Sequence, residues 1–162
     1  MPDLSVNRRA RFDYEILETY EAGMALLGFE VKSAKAGRMQ IAGAFVVIKN
    51  NEPCPHTKHH ERCGVGAWLL SATIPPYQVK NTPERYDPAR SRRLLLRKSQ
   101  INELIGKSAQ KGLTMVPLRV YTKRNRVKLL LGIARHKKTS DKRETIKKRE
   151  AKREIDRTLK RG

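Results

Sequence analysis

Two arms that alternate residue by residue constrain this chain most. Val116, Leu118 and Val120 occupy every second position of one arm, and Val127, Leu129, Leu131 and Ile133 every second position of the other. That period is the mark of half-buried strands, and Lys123-Arg124-Asn125-Arg126 between them supplies a turn. Leu113 to Ala134 therefore reads as a long β-hairpin.

A second stretch, Asp13 to Ser33, carries Glu15, Glu18 and Glu21 among apolar and aromatic residues. Positions 14, 16, 20, 22, 24 and 26 are apolar or aromatic, with Glu18 the exception, which predicts a half-buried strand with a bulge or bend at Gly23. Fixed acids in a basic chain can orient arginines or accept from base and ribose donors; the plainer alternative is a solvated face. Glu30 to Ala36 predicts a short helix stopped at Gly37, and Gln40–Lys49 and Trp68–Ile74 predict further strands.

Residues 78–93 read as an irregular basic loop. Leu94-Leu95-Leu96 then predicts a short buried strand between Arg92-Arg93 and Arg97-Lys98, where a core wall reaches a basic rim. Ser99 to Lys111 is a helix by its spacing, with Ile101, Leu104 and Ile105 on one face and Gly112 at its stop. Met1 to Val6 reads as a loose lead-in. Together these elements predict a mostly β fold, a small closed antiparallel barrel with one or two helices and a basic C-terminal tail; such barrels, the OB type included, are common on nucleic acid.

Charge points to the partner. Lys and Arg number 36 against 16 Asp and Glu, a net +20 that makes a polyanion, nucleic acid first, the expected ligand. An anionic membrane would want a basic helix with a bulky apolar face, which the most basic segment lacks. No membrane span or cleavable signal is legible, so the expected location is the cytoplasm. Residues 135–162 carry thirteen Lys or Arg and five Asp or Glu and no Phe, Tyr or Trp. That segment is expected to be disordered alone and helical on a polyanion. The expected division is thus a barrel over 1–134 and a tail over 135–162.

Several short motifs, in order, resemble the small protein B family, the partner of transfer-messenger RNA (tmRNA) in bacterial ribosome rescue. They are Asn7-Arg8-Arg9-Ala10-Arg11 with Asp13-Tyr14; Tyr20-Glu21-Ala22-Gly23 with Glu30-Val31-Lys32-Ser33; Asp87-Pro88 with Arg92-Arg93-Leu94-Leu95-Leu96; Lys111-Gly112-Leu113-Thr114; Val127-Lys128; and Lys137-Lys138 with Asp141-Lys142-Arg143. The resemblance implies an OB-like closed antiparallel barrel with short flanking helices, a noncatalytic monomer that grips the tRNA-like part of tmRNA and delivers it to stalled ribosomes. Its tail would lie in the empty mRNA channel. Contacts carry over to Asn7, Glu21 and Leu95, and more loosely to Lys32 and Arg97, with Arg8, Arg9 and Arg93 as accompanying cations. Lys137, Lys138, Asp141, Lys142 and Arg143 would serve the ribosome. Leu95 would pack on an unstacked base.

Two departures stand out. His136 occupies a hinge position where the family carries glycine. Residues 53–66 look like an insertion, in which Cys54, His56, His59 or His60, and Cys63 could hold a tetrahedral zinc, although the spacing is not that of a standard finger and a plain loop is the alternative. The rival function is a general single-strand RNA-binding or ribosome-associated structural protein, which would display stacking aromatics; with three Phe, five Tyr and one Trp, the chain is poorly supplied. An enzyme fits least, for want of a phosphate-binding glycine loop or nucleophile motif.

Overall fold

The hairpin forms as its pattern requires. In the computed structural model, which describes residues 3–49, 65–137 and 150–151, the elements run β1 (Asp3–Val6), α1 (Arg8–Asp13), β2 (Tyr14–Met24), α2 (Gly28–Lys35), β3 (Phe45–Lys49), β4 (Gly66–Leu70), β5 (Arg92–Leu95), α3 (Lys98–Ser108), β6 (Leu113–Lys123) and β7 (Arg126–His136). β6 and β7 pair from Leu113 opposite Arg135 to Lys123 opposite Arg126. Arg124 and Asn125 make the turn with φ of 47° and 61°, the left-handed pair that matches the twist of a two-residue hairpin.

All pairings are antiparallel, and they form a circuit: β6–β3–β4–β5–β2–β7 and back to β6, with β1 added along the free edge of β6. Inside lie Ala22, Met24, Val46, Leu69, Leu94, Val120, Leu129, Leu131 and Ile133, each nearly inaccessible, and α2 and α3 contribute Ala34 and Leu104. The alternation on β7 is therefore read correctly. A second, smaller cluster of Ala10, Val116, Leu118 and Ala134 forms on the outside of the sheet, where α1 covers it.

Two bulges decide which residues belong to which cluster. The pairing of β2 with β7 slips at Leu17, and that of β6 with β7 slips at Leu118. Each extra residue reverses the face of everything beyond it. Tyr14 and Ile16 thus join the outer cluster while Tyr20, Ala22 and Met24 serve the inner one. Val116 and Leu118 face outward although Val120 faces inward. The bulge expected at Gly23 lies six residues earlier, because Glu21 to Gly23 stay in register with Leu130 to Lys128. Gly23 instead leaves room for Leu95, whose Cβ would stand 3.2 Å from a Cβ added there.

Other boundaries shift for local reasons. Met1 to Val6 is not wholly a lead-in, since Asp3–Val6 pairs with β6. The strand expected over Trp68–Ile74 ends at Leu70, because Ser71 turns left-handed at φ 57° and only Thr73 re-pairs, with Gln40. On α3, Leu104 is buried but Ile105 is 38% exposed, so the expected apolar face is narrower.

Gly132 offers a direct test of the outer cluster. A Cβ there would stand 3.1 Å from both Ile16 Cγ2 and Leu118 Cδ1, side chains that meet over the glycine. Gly132→Ala is expected to lower stability by about 1–3 kcal/mol through overpacking, read as a lower urea midpoint at unchanged slope.

Candidate nucleic-acid interface

Beyond the two bulges, the outer face of β2, β6 and β7 gathers charge. Glu21 accepts from the hydroxyl of Tyr121 and from Lys123 Nζ at 2.9 Å, and Lys128 Nζ stands 3.7 Å away. These residues meet because Glu21 opposes Leu130 while Tyr121 opposes Lys128, placing all three side chains on one side of the sheet. The hydrogen bond from Tyr121, then that from Lys123, holds the Glu21 carboxyl below its ordinary range. Burial first, and the Glu21 hydrogen bond second, push the Tyr121 hydroxyl up to about 12. Arg119 extends the patch, its guanidinium 5.0 Å from the Tyr121 ring centre and 3.4 Å from Asp3.

Leu95 lies beside this patch. It opposes Gly23 at the end of β5 and is 56% exposed, so the strand expected to be buried presents one leucine outward. An open groove of about 420 Å³ runs past it, lined by Val31, Leu95, Asn125, Arg126 and Lys128 among others. An apolar side chain flanked by cations and a carboxylate can hold a base by its face, its phosphate by Lys or Arg, and a ribose or base donor by Glu21.

The other candidates distribute unevenly. Lys32 on α2 and Arg97 at the start of α3 are exposed, and Arg93 lies on the outer face opposite Trp68. Arg8 and Arg9 are exposed on α1, with Arg9 Nε 3.1 Å from Asp13. Asn7 is different: it is 4% exposed and caps α1 by accepting from the Ala10 N–H at 3.0 Å. Its Nδ2 donates to the carbonyls of Pro117 at 3.0 Å and Ile41 at 3.3 Å. The amide is thus spent on the protein's own backbone.

Glu18, expected to orient arginines or face solvent, stays exposed and also clamps α3 to β2. It accepts from Lys107 and, at 2.9 Å, from the Tyr20 hydroxyl. The Lys107 bond first and the Tyr20 bond second lower the Glu18 carboxyl pKa, while the bonds Lys107 donates to Glu18 and to the Tyr20 hydroxyl raise its own.

Arg92 corrects the expected basic rim, for it is fully buried. It and Arg90 converge on the equally buried Glu30, with Arg92 Nη2 at 3.0 Å and Arg90 Nε donating at 2.9 Å. The Tyr86 hydroxyl donates to the same carboxylate at 3.0 Å and the Leu27 N–H at 2.8 Å. Arg92 also donates to the carbonyls of Ala72, Pro88 and Arg90, which leaves every guanidinium nitrogen engaged. Burial opposes ionisation of Glu30, yet the Arg90 and Leu27 hydrogen bonds and the Arg92 charge outweigh it and hold the carboxyl below its ordinary range. This cluster fixes the start of β5, three residues before Leu95.

At the boundary expected between barrel and tail, β7 runs two residues past Ala134. His136 packs edge-on against Tyr14 with ring centres 5.3 Å apart. Lys137 follows with its N–H donating to the Asp13 carbonyl at 3.0 Å and its Nζ to the Arg11 carbonyl at 3.2 Å. Lys138, Asp141, Lys142 and Arg143, and the loop candidates Cys54, His56, His59 and Cys63, lie outside the described residues. Among the described residues no His, Cys, Asp and Glu cluster fits a metal, and no helix is long and apolar enough to cross a membrane.

Sequence reasoning missed Arg119, Tyr121 and Lys123 as companions of Glu21. Their alternation along β6 was legible, but their side of the sheet depends on the bulge at Leu118.

The comparisons agree with one another. Residues 4–161 match the family model described as "SmpB protein". A protein of Thermosynechococcus vestitus called "SsrA-binding protein" is 48% identical over 157 residues, 97% of this chain and 94% of that protein. One of Coprothermobacter proteolyticus with the same name is 47% identical over 158 residues, 97% of this chain and 96% of that one. A solved chain described as "tmRNA-SmpB: a journey to the center of the bacterial ribosome" is 46% identical, superposes with a TM-score of 0.61, and matches 83% of this chain and 84% of its own.

Proposed function

Because the chain belongs to the SmpB protein family, we propose that it binds the tRNA-like part of tmRNA and delivers it to stalled ribosomes for trans-translation. It works in the cytoplasm as a monomer and as a binding protein rather than an enzyme. The ring of strands is an OB-like closed barrel, and the segment after Lys137 lies in the empty mRNA channel. The face bearing Glu21 and Leu95 is the one turned to tmRNA, with Lys32, Arg93 and Arg97 at its margin. Asn7 acts at one remove, by holding α1 and so Arg8 and Arg9 in place.

One observation carries the assignment of the face: a carboxylate held among Tyr121, Lys123 and Lys128 beside an exposed leucine. Purely electrostatic attraction to RNA would leave no use for that carboxylate. Replacing it raises the net charge of +20 by one and should tighten indiscriminate binding.

Glu21→Ala separates the two cases. It is expected to weaken binding of the tRNA-like fragment about tenfold, the effect of losing one charge-assisted hydrogen bond, while affinity for bulk tRNA holds or rises. Gel-shift competition at moderate salt reads both. Equal affinity of the unaltered protein for the two RNAs would favour the general single-strand binder instead.

A further inference from the structure

The three groups that meet the Glu21 carboxylate are not equivalent. Lys123 and Lys128 reach it on long, partly exposed stems. Ion pairs of that kind hold orientation weakly, because each stem keeps many of its rotamers. Tyr121 has two side-chain torsions, is 5% exposed, and carries the Arg119 guanidinium against its ring. Its direction is therefore set before any RNA arrives.

The bond Tyr121 makes also crosses a strand. Glu21 lies on β2 and Tyr121 on β6, with β7 between them. Strands two apart stand about 10 Å from one another, at about 4.8 Å per step. A tyrosine hydroxyl bridges that gap to the carboxylate, and a phenylalanine at the same place would end one oxygen short.

The two carboxylate oxygens divide accordingly. Oε2 takes the Tyr121 hydroxyl and also Lys123 Nζ at 2.9 Å. Oε1 faces Lys123 Nζ at 3.3 Å and Lys128 Nζ at 3.7 Å. Both ammonium groups can swing to a phosphate, which opens Oε1 to a base or ribose donor.

We propose that Tyr121 is a positioning residue of the tmRNA contact: by anchoring Oε2 it aims Oε1 of Glu21 at the RNA, while Lys123 and Lys128 pass from the carboxylate to phosphates beside it. The inference rests on the reading of the Glu21 and Leu95 face as the one turned to tmRNA. It deepens that reading by naming the oxygen that accepts and the side chain that aims it.

The test uses the full-length protein with the tRNA-like fragment of tmRNA and bulk tRNA as separate probes. Tyr121→Phe keeps the ring and removes the hydroxyl. It is expected to weaken fragment binding about fivefold, the effect of one lost hydrogen bond, and to leave bulk tRNA binding unchanged. Added to Glu21→Ala it should cost nothing further, because the group it aims is already gone. Carbon NMR of the Glu21 carboxyl gives a second readout that needs no RNA. Tyr121→Phe removes the foremost of the bonds that hold this carboxyl down, so its titration should move up toward the ordinary carboxylate range.

Unchanged fragment affinity in Tyr121→Phe would overturn the proposal, and so would an unchanged Glu21 titration. A loss that adds in full to that of Glu21→Ala would overturn it too, since Tyr121 would then touch RNA on its own account. Equal loss on both RNAs would assign the residue to the fold instead and overturn it likewise. Failure of the underlying reading would show differently, as a preference for the tRNA-like fragment that survives Glu21→Ala.

Discussion

Ending the chain after Lys137 is expected to abolish tagging of stalled nascent chains in a translation assay while the tRNA-like fragment still binds selectively. Cutting before Arg135 would not separate the two activities. Arg135 and His136 pair with Glu15 and Tyr14, and the Lys137 N–H donates to the Asp13 carbonyl. A cut there removes the last rung of β7 and loosens α1, so any loss of RNA binding would confound folding with recognition. The later cut leaves those contacts intact and removes only residues 138–162. The lost segment is strongly basic, so some non-specific affinity should go with it, most visibly at low salt. Tagging at normal rates by the shortened chain would refute the assignment of the tail to the mRNA channel.

Glu30→Ala is expected to be the most destabilising single change among the described residues, costing about 3–5 kcal/mol and lowering the melting temperature by on the order of 10 °C. The reason lies in what remains. Arg92 is wholly buried and Arg90 largely so, and without the carboxylate the pair becomes two uncompensated cations in the core. RNA affinity should fall only as far as β5 and Leu95 lose their anchor.

The same carboxyl predicts an acid limb of stability. Its pKa is lowered in the folded protein, so the unfolded chain binds the proton more tightly. The stabilisation is therefore complete above the ordinary carboxylate range near about 4.3 and is lost as pH falls through the lowered folded value. Glu30→Gln should be destabilised at neutral pH and should flatten that part of the stability curve. Denaturant midpoints measured from pH 7 to pH 3 would show it, and an unchanged slope in the Gln variant would assign the acid limb to other groups.

Much of the candidate site was legible as residue types and much less as geometry. Glu21 stood out as an acid in a basic chain, and Leu95 as an apolar residue among arginines. Neither observation told that Tyr121, Lys123 and Lys128 would close around Glu21, since those residues come from strands a hundred positions later. Asn7 looked like a polar contact beside arginines and proved to be a buried helix cap. Arg92 and Arg93 looked like equal members of a rim. Their neighbours in sequence are alike, but alternation along β5 sends one inward to Glu30 and the other outward beside Trp68.

What the sequence determined by itself is everything set by near neighbours and by totals: the hairpin and the place of its turn, the helices α2 and α3, the inner face of β7, and the excess of positive charge that calls for a polyanion. What only the tertiary structure decided is which face each strand residue takes once a bulge at Leu17 or Leu118 has reversed the alternation, and which charges go inside. The physical reason is that a bulge is chosen by the partner strand and a buried ion pair by groups sixty residues away. Pairing, rather than local preference, settles both.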